Sequence, residues 1–529
     1  MSDVTSARAP PRRGKTKQPS NPLLEERKKL EEAERLRRAR ELDRAQRICK
    51  GILKRYPDYV GALHTLGLVL ADKREYAQSL PYLVQAAMLN PKDWTTLTAL
   101  SGVYLRLGAR VMAARTLEQA LRRKPDDASI LTTLGEIYRE DREYEAAAET
   151  FRRALSLDES LHAAGIGLGD SCTHLGELVE AAAAFEEAVK HYTHSIKVMY
   201  SLSQLPGSLV KVDVLSLLDD AVPEETEDRE DFDSSYAFTK AASLDKAGRH
   251  AAAWECLVAA NRRPFLQQRD NHRKDVQLQK VFLEGAIQGP IGVEPGGSDP
   301  GGHSQSLFIL GPSRSGKTTM ERLVGAIDGV KRGYENPIVE NSVRQAFQTA
   351  GLPTRERIFE LPAALDELCR DFYLEELEER AGSARVFTNT MPGHITGVLR
   401  LAAVVPHARF IFVKRDLDDI CLRIFMKKYL SGNAYAYDIG TIREYVGWYY
   451  RMIDVLAERL PHIATVIQYD EMLASPAAAA RSAAKLCGLT VPSGPLPELG
   501  DDRGCAEPYR ELIAGAPSNA SNVVVNQHT

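Results

Sequence analysis

The stretch that decides the fold of the second half is SLFILGPSRSGKTTMERLVGAI, residues 306–327. It begins with a short apolar segment typical of a buried strand and ends with the spacing of a helix, and the turn between them holds Gly311 and Gly316. A strand that runs through a glycine-rich turn into a helix presents unpaired backbone N–H groups and the positive end of the helix dipole. The stretch therefore predicts a loop that binds an anion.

Further strands are predicted downstream of this loop. The segments RVFTN, ARFIFVKR and ATVIQYD are short and apolar, and helical stretches separate them. Strands that alternate with helices favour a parallel sheet with helices on both faces. We therefore expect an α/β P-loop-like domain with a parallel sheet over residues 306–495.

The first half carries a repeat of 34 residues, marked by Pro57, Pro91 and Pro125. Small and large apolar positions recur in the same register: Gly67, Ser101, Gly135 and Gly169, then Leu83, Leu117, Phe151 and Phe185. Small residues let two antiparallel helices approach closely, and we expect the large ones to fill the groove against the next helix pair. The pattern resembles the tetratricopeptide repeat over roughly residues 26–195.

A further helix pair is predicted at residues 237–262, with Gly248 at its turn. We therefore expect an α-solenoid of tetratricopeptide repeats over residues 26–262, whose groove binds a peptide or protein partner or only supports the second half. Outside these regions we expect a disordered basic head (1–25), a helix with a Gly/Pro linker (263–305) and a largely disordered C-terminal extension (496–529).

Composition narrows the class of protein. The net charge is −4, so no global attraction to nucleic acid is expected. The seven cysteines are scattered without C-x-x-C spacing, which argues against a disulfide framework and a zinc site. No apolar run is long enough to span a bilayer, and no secretory segment follows the basic head. We expect a cytoplasmic protein with neither a metal site nor a membrane span.

The anion loop allows two chemical interpretations. GPSRSGKTT fits the pattern G-x-x-x-x-G-K-[ST] of kinases and ATPases. Those enzymes also need an acidic magnesium ligand at the end of a second strand. Asp416 ends such a strand, but Lys414 and Arg415 precede it, and basic residues suit a second phosphate better than a metal.

The series of motifs resembles the sulfotransferase family. The two donor-binding segments of that family are similar to GPSRSGKTT and FIFVKRDLDDICLRIFMKKY. Three further segments follow in the expected order, so that the resemblance covers about residues 306–490: GNAYAYD, VIQYDEMLASP and AAKLCGL. The upstream repeats match a group of sulfotransferases with tetratricopeptide repeats, some of them similar to protein-tyrosine sulfotransferases. The resemblance implies 3′-phosphoadenosine 5′-phosphosulfate (PAPS) as sulfonate donor and a hydroxyl or amine acceptor.

The resemblance also implies roles for individual residues. The loop would hold the 5′-phosphosulfate through Arg314, Ser315, Gly316, Lys317, Thr318 and Thr319. Arg415 would bind the 3′-phosphate, with Arg423 at a second position near it.

The sequence departs from the family pattern at three places. Lys317 and Arg423 stand where the family usually has Thr and Ser, and Asn389 and Thr390 replace the acid and lysine of the element DKMPxN. In related tyrosine sulfotransferases that lysine stabilises the moving sulfonate, so we expect Lys317 to compensate for it.

Four residues are predicted to be catalytic. Arg314 and Lys317 would supply fixed positive charge, Glu335 would be the base, and His394 is the second candidate for that role. Three functions follow from the sequence. The chain is an active sulfotransferase whose repeats recruit a protein or peptide acceptor, a repeat scaffold with a donor-binding but weakly active or inactive transferase domain, or a P-loop kinase or NTPase.

Overall fold

The structure, a computed structural model, describes residues 22–191, 194–223, 228–289, 302–429, 432–490 and 494–515. Residues 1–21 of the predicted head, 290–301 of the predicted linker and 516–529 of the predicted tail lie outside the described residues. The first helix begins at Pro22, so the last four residues of the predicted head are helical. None of the described helices combines the length and apolar character needed to cross a membrane.

Residues 22–191 form successive antiparallel helix pairs, as the repeat predicts. Their bounds are α1 (Pro22–Arg38), α2 (Leu42–Leu53), α3 (Val60–Asp72), α4 (Tyr76–Leu89), α5 (Trp94–Arg106), α6 (Arg110–Leu121), α7 (Ala128–Glu140), α8 (Tyr144–Leu157), α9 (His162–Leu175) and α10 (Leu178–His191). The small residues of the repeat are buried at the crossings, and they include Ala113, Ala147 and Ala181.

The large apolar residues of the repeat pack within their own helix pair, and Leu83 also shares a buried cluster with Leu100 and Val103 of the next pair, as expected. A Cβ added at Gly67 would lie 2.5 Å from Leu83, and one added at Gly169 would lie 2.6 Å from Phe185. Each large residue on the second helix of a pair therefore fills the space left by the small residue on the first helix of the same pair. The pairing is within a repeat because the two positions face each other across the crossing.

Four more helices lie between the repeats and the sheet: α11 (Ile196–Gln204), α12 (Val214–Leu217), α13 (Arg229–Lys246) and α14 (His250–Gln288). Gly248, with φ +71°, makes the turn between α13 and α14 as predicted. The boundary expected at residue 262 falls inside α14, which continues through Pro264. Buried Asn261 donates to Phe425 O at 3.0 Å, and Trp448 donates to Gln279 O at 2.7 Å, so later elements hold this helix along its length.

The second half contains a five-stranded sheet in which every pairing is parallel. Its strands are β1 (Gln305–Leu310), β2 (Val330–Lys331), β3 (Val386–Asn389), β4 (Arg409–Lys414) and β5 (Ala464–Gln468), in the order β2-β3-β1-β4-β5. Successive β1 residues alternate between two cores, with Leu307 and Ile309 on one face and Phe308 and Leu310 on the other.

Helices cover both faces of the sheet, which confirms the predicted α/β arrangement. Their bounds are α15 (Lys317–Gly325), α16 (Ile338–Thr349), α17 (Asp366–Ala381), α18 (Val398–Val404), α19 (Leu417–Phe425), α20 (Ile439–Arg459), α21 (Tyr469–Ala474), α22 (Pro476–Leu486) and α23 (Arg510–Gly515). One face packs against α16, α17, α18 and α20, and the other against α15, α21 and α22.

The chain divides into two compact units. One consists of residues up to 138 with 150–161, and the other of 139–149 with the rest of the chain from 162. The second unit therefore contains the last repeat helices as well as the sheet. It also contains residues 494–515, where Tyr509 is buried beside helix α23. This part of the C-terminal extension is folded rather than disordered, because an aromatic side chain anchors it in the core.

Candidate functional site

The predicted anion loop connects β1 to α15, and its shape depends on two glycines. A Cβ at Gly311 would lie 2.7 Å from Val413 O and would also collide with Ser315 Oγ. Gly316 has φ +99°, and a Cβ there would collide with the ring of Tyr469. The backbone of this loop therefore folds closely against β4 and Tyr469.

The loop holds polar side-chain atoms that lack partners. Ser315 Oγ and Arg314 Nε are buried and have no hydrogen-bond partner among the described residues. Burial, followed by the charge of Arg423, lowers the pKa of Arg314. Arg314 also adopts φ +67°, a strained backbone conformation for a residue other than glycine. Unpaired buried donors and local strain together mark a place prepared for a ligand.

Lys317 begins α15 and turns back into the loop. Its side chain is buried, and its Nζ donates to Pro312 O at 3.3 Å. Burial lowers the pKa of Lys317, the charge of Arg314 lowers it further, and Glu335 opposes this shift. Thr318 is exposed and Thr319 is half-buried at the first turn of the same helix.

Arg415 follows β4, the neighbour of β1, and only 6% of its surface is exposed. Its Nη1 donates to Arg314 O at 3.5 Å, which places the guanidinium beside the anion loop. Its backbone N–H donates to Tyr450 Oη at 2.9 Å, and Tyr450 donates back to Arg415 O at 2.6 Å. The structure thus brings Arg415 and the loop together at the carboxyl ends of two adjacent strands.

Arg423, on α19, reaches the same place as Arg415. Its Nε lies 3.3 Å from Asp502 Oδ2, and Arg415 Nη2 lies 3.1 Å from Asp502 Oδ1. Asp502 belongs to the C-terminal extension and was not predicted as a site residue. Nothing in the short polar stretch LGDDRG distinguishes it from an exposed turn.

Glu335 lies in a segment that is fixed at both sides. Gly333 N donates to Thr388 Oγ1 at 2.9 Å, and Tyr334 N donates to buried Glu321 at 2.8 Å. The Glu335 carboxylate makes no hydrogen bond among the described residues, and its charge acts on Lys317 and on Lys427. The predicted base therefore lies beside the predicted cation of the loop.

Lys427 is a cation near the site that the sequence analysis did not single out. It lies 5.2 Å above the ring of Tyr429, whose hydroxyl donates to Ser313 of the anion loop at 3.1 Å. Its ammonium makes no hydrogen bond or ion pair among the described residues. Burial, with the charge of Arg314, lowers the pKa of Lys427 to about 8. The sequence MKKY gave no signal, because paired lysines after a helix usually face solvent.

Repeat helices of the same compact unit reach the Glu335 segment. Tyr334 donates to Glu145 at 2.7 Å, and its ring meets Tyr144 edge-on at 4.7 Å. Tyr144 stacks on His174 at 4.2 Å, and burial lowers the pKa of His174 to about 4. Residues of α8 and α9 therefore form a wall beside the predicted base.

His394 occupies a different environment from the other candidates. It is buried, its Nε2 lies 3.1 Å from Glu340, and its ring packs edge-on against Phe308. Among the described residues its side-chain contacts are with these groups rather than with the anion loop, and its Nδ1 has no partner. The structure does not bring His394 to the loop.

The two residues that replace the family's acid and lysine have structural contacts. Asn389 donates to Asn336 O at 3.0 Å and accepts from Met391 N at 2.9 Å. The Thr390 backbone donates to Tyr334 O at 2.8 Å. Both residues tie the end of β3 to the segment that carries Glu335.

Two sets of possible metal ligands have other contacts in the structure. Asp416, the residue that an NTPase would use, accepts from the backbone N–H groups of Asp418 and Asp419 at 2.9 and 3.0 Å and so caps α19. Among the described residues, Cys172, Glu177 and Glu180 have metal-ligand spacing, but they lie in the repeats, and the Cys172 thiol donates to Glu177. All seven cysteines are free.

Comparisons with known proteins agree with the two halves. An uncharacterized protein of Aquifex aeolicus (strain VF5) is 21% identical over 332 residues, covering 60% of this chain and 42% of that protein. The cilia- and flagella-associated protein 70 of Homo sapiens is 36% identical over 132 residues, covering 23% of this chain and 11% of that protein. The chain thus spans less than half the length of either relative.

Solved structures similar to the chain cover about a third of it. MamA from Desulfovibrio magneticus RS-1 is 21% identical, covers 31% of this chain and 93% of its own, and has a TM-score of 0.30. YrrB, described as a TPR protein with an unusual peptide-binding site, is 17% identical, and the match covers 34% of this chain and 95% of YrrB with a TM-score of 0.31. Residues 103–162 match the tetratricopeptide repeat and residues 306–493 match the sulfotransferase family, so the chain joins N-terminal tetratricopeptide repeats to a sulfotransferase-family region.

Proposed function

We propose that this chain is a PAPS-dependent sulfotransferase that moves a sulfonate group to a hydroxyl or amine acceptor. One observation carries the proposal: buried Arg415 lies beside the anion loop, with its Nη1 3.5 Å from Arg314 O. Two adjacent anion-binding poles suit a nucleotide that is phosphorylated at both its 5′ and 3′ positions. They lie at the carboxyl ends of β1 and β4, where the strand order reverses and where open parallel sheets bind their ligands.

The residues of the loop fit the sulfated end of such a donor. Ser315 Oγ and Arg314 Nε are buried donors without described partners, and the two glycines leave room for the ligand to approach the backbone. PAPS, when bound, supplies the activated sulfonate. The chain then has to hold the donor, keep the acceptor in line with it and provide fixed positive charge.

The transfer forms a bond between sulfur and the acceptor atom and breaks the bond between sulfur and the bridging oxygen of the donor. The electron pair stays on that oxygen as the bisphosphate leaves. Glu335 accepts the proton of the acceptor and passes it to water. The charge of Glu335 acts on Lys317 and on Lys427, which supports a common role for the three side chains.

Lys317 and Lys427 together replace the lysine that the family has where Thr390 stands. Lys317 is held by a loop carbonyl, whereas Lys427 has no described partner for its ammonium and lies next to the loop through Tyr429. A cation without a partner is available to neutralise charge on the leaving oxygen. The hypothesis that Lys317 alone compensates is therefore extended to both lysines.

The acceptor is proposed to be a protein or peptide recruited by the repeats. Tyr144 and His174 belong to repeat helices and lie beside the segment that carries Glu335. A polypeptide bound at these last repeat helices would therefore lie close to the proposed base. The repeat scaffold with a donor-binding but weakly active domain remains the second candidate, because Asn389 and Thr390 serve structural contacts in place of catalytic ones.

The test measures thermal unfolding with PAPS, with 3′,5′-adenosine bisphosphate (PAP) and with ATP plus magnesium, followed by transfer from radiolabelled PAPS to candidate proteins and to water. We expect stabilisation by PAPS and PAP, because a ligand that binds the folded state raises the melting temperature. Stabilisation by ATP with magnesium alone would refute the proposal. Stabilisation by PAP without any turnover of PAPS would favour the scaffold.

A further inference from the structure

The C-terminal extension places a carboxylate in the proposed 3′-phosphate site. Asp502 Oδ2 lies 3.2 Å from Arg415 Nη1 and 3.3 Å from Arg423 Nε. Its Oδ1 lies 3.1 Å from Arg415 Nη2 and accepts from Tyr469 Oη at 2.7 Å. Four donors from three side chains therefore converge on one carboxylate.

These donors form a built anion site rather than a surface ion pair. Arg415 is 6% exposed, and its guanidinium lies 4.6 Å from the centre of the Tyr469 ring. Burial raises the pKa of Asp502, but the charge of Arg415 and the hydrogen bond from Tyr469 outweigh it, so the net pKa is lowered. The carboxylate is ionised at neutral pH and occupies the donors that a phosphate would use.

The segment around Asp502 is anchored on its downstream side, and Asp502 O also accepts from Arg415 Nη2 at 2.8 Å. Downstream, Gly504 N and Ala506 N donate to Asp419 at 2.7 and 2.9 Å, and Tyr509 is 1% exposed. Asp502 itself lies in the stretch Gly500–Gly504, where Gly504 has φ +70° and Asp501 and Arg503 are exposed. We expect the carboxylate to withdraw through a change in this glycine-flanked stretch, with the anchor at Asp419 and Tyr509 kept.

We propose that Asp502 is a built-in competitor for the donor's 3′-phosphate and determines the affinity of the site for 3′-phosphorylated nucleotides. This inference rests on the proposed function. In the free protein the carboxylate satisfies Arg415 and Arg423; a 3′-phosphate, with a larger negative charge and three acceptor oxygens, displaces it. After transfer, Asp502 competes with the bound bisphosphate product for the two arginines, and this competition speeds release of the product. A nucleotide without a 3′-phosphate does not compete with the carboxylate.

The experiment compares full-length wild type, Asp502→Asn and Asp501→Asn by calorimetric titration with PAP and with 5′-AMP. Asparagine keeps the size of the side chain but removes the competing charge. We expect Asp502→Asn to bind PAP about tenfold more tightly, since a charged hydrogen-bonding competitor is lost. Its affinity for 5′-AMP should stay within about twofold, and the dissociation rate of PAP should fall. Asp501→Asn is the matched control, because Asp501 pairs with exposed Arg503 and should leave both affinities unchanged.

Thermal unfolding of the free and PAP-bound proteins separates an effect on PAP binding from an effect on folding. The free Asp502→Asn protein should melt below wild type, because the buried arginine loses a counter-charge, and the increase in melting temperature with PAP should be larger than in wild type. If wild type binds PAP and Asp502→Asn binds it equally or more weakly, the inference is wrong and the proposed function stands. Absence of PAP binding by wild type and by both variants would overturn both.

Discussion

Protonation of Lys427 should accompany binding of the nucleotide. Burial and the charge of Arg314 lower the pKa of this lysine from its ordinary value of 10.5 to about 8. At pH 8 about half of the free molecules then carry a neutral Lys427. A phosphate held in the loop raises the pKa again, so each PAP bound at pH 8 should take up about half a proton, and at pH 7 about a tenth.

The assay is calorimetric titration of PAP at pH 8 in buffers with different enthalpies of ionisation, since the slope of binding enthalpy against ionisation enthalpy gives the protons taken up. Lys427→Gln should lose the uptake. Lys428→Gln is the matched control: the ammonium of Lys428 already pairs with Asp231 at 2.7 Å, so its removal should leave the uptake unchanged. Equal uptake by wild type and Lys427→Gln would refute the placement of Lys427 beside the bound phosphate.

The same lowered pKa has a consequence for the free protein. Between pH 8 and pH 10.5 the unfolded chain binds more protons at Lys427 than the folded chain does. The contribution of this group to the free energy of unfolding therefore rises with pH across that window. Denaturant unfolding at several pH values, with Lys427→Gln as reference, measures this difference.

Three substitutions test the packing around the site and in the repeats. Gly316→Ala should destabilise the protein by about 1–3 kcal/mol and abolish PAP binding, because φ is +99° and the new Cβ would collide with the Tyr469 ring; denaturant unfolding and titration with PAP check this. Gly169→Ala should lower the free energy of unfolding by about 1–3 kcal/mol, because its Cβ would lie 2.6 Å from the Phe185 ring. Gly102→Ala, with open space around it, should raise the free energy of unfolding by about 0.5–1 kcal/mol. The denaturant midpoints of the two variants should therefore move in opposite directions. Tyr334→Phe loses a 2.7 Å hydrogen bond to a repeat carboxylate and should lower stability by about 1.5–3 kcal/mol and also lower kcat; an unchanged kcat would show that this contact does not position the base.

Short-range sequence patterns predicted the helices and strands that depend on contacts between residues close in the chain. The 34-residue period gave the helix pairs, because each pair repeats the same small and large contacts. The stretch at residues 306–327 gave a strand, a glycine turn and a helix, because apolar runs and glycines act within a few residues of themselves. Arg415 was assigned to the site from the resemblance to the sulfotransferase family, and the adjacency of the parallel strands β1 and β4 explains why it lies beside the loop.

Long-range contacts explain what the sequence did not indicate. Asp502 meets Arg415 across 87 residues, and no periodic pattern links the two. Lys427 follows a helix as one of two adjacent lysines, and only the fold buries it beside Arg314. The C-terminal extension was expected to be largely disordered, but Ala506, Tyr509 and Ile513 are buried, and Gly504 N and Ala506 N donate to Asp419, so long-range contacts hold its part up to residue 515.

Helix α14 determines where this polypeptide can be cut into fragments. Its first turns pack with α13, while its later turns bond to α19 and α20, so the border suggested by composition lies in the middle of one rigid rod. A cut at residue 262 would leave each fragment with half of a severed interface. The last repeats and the sheet belong to one compact unit, so a fragment meant to keep that unit intact has to contain α14 whole.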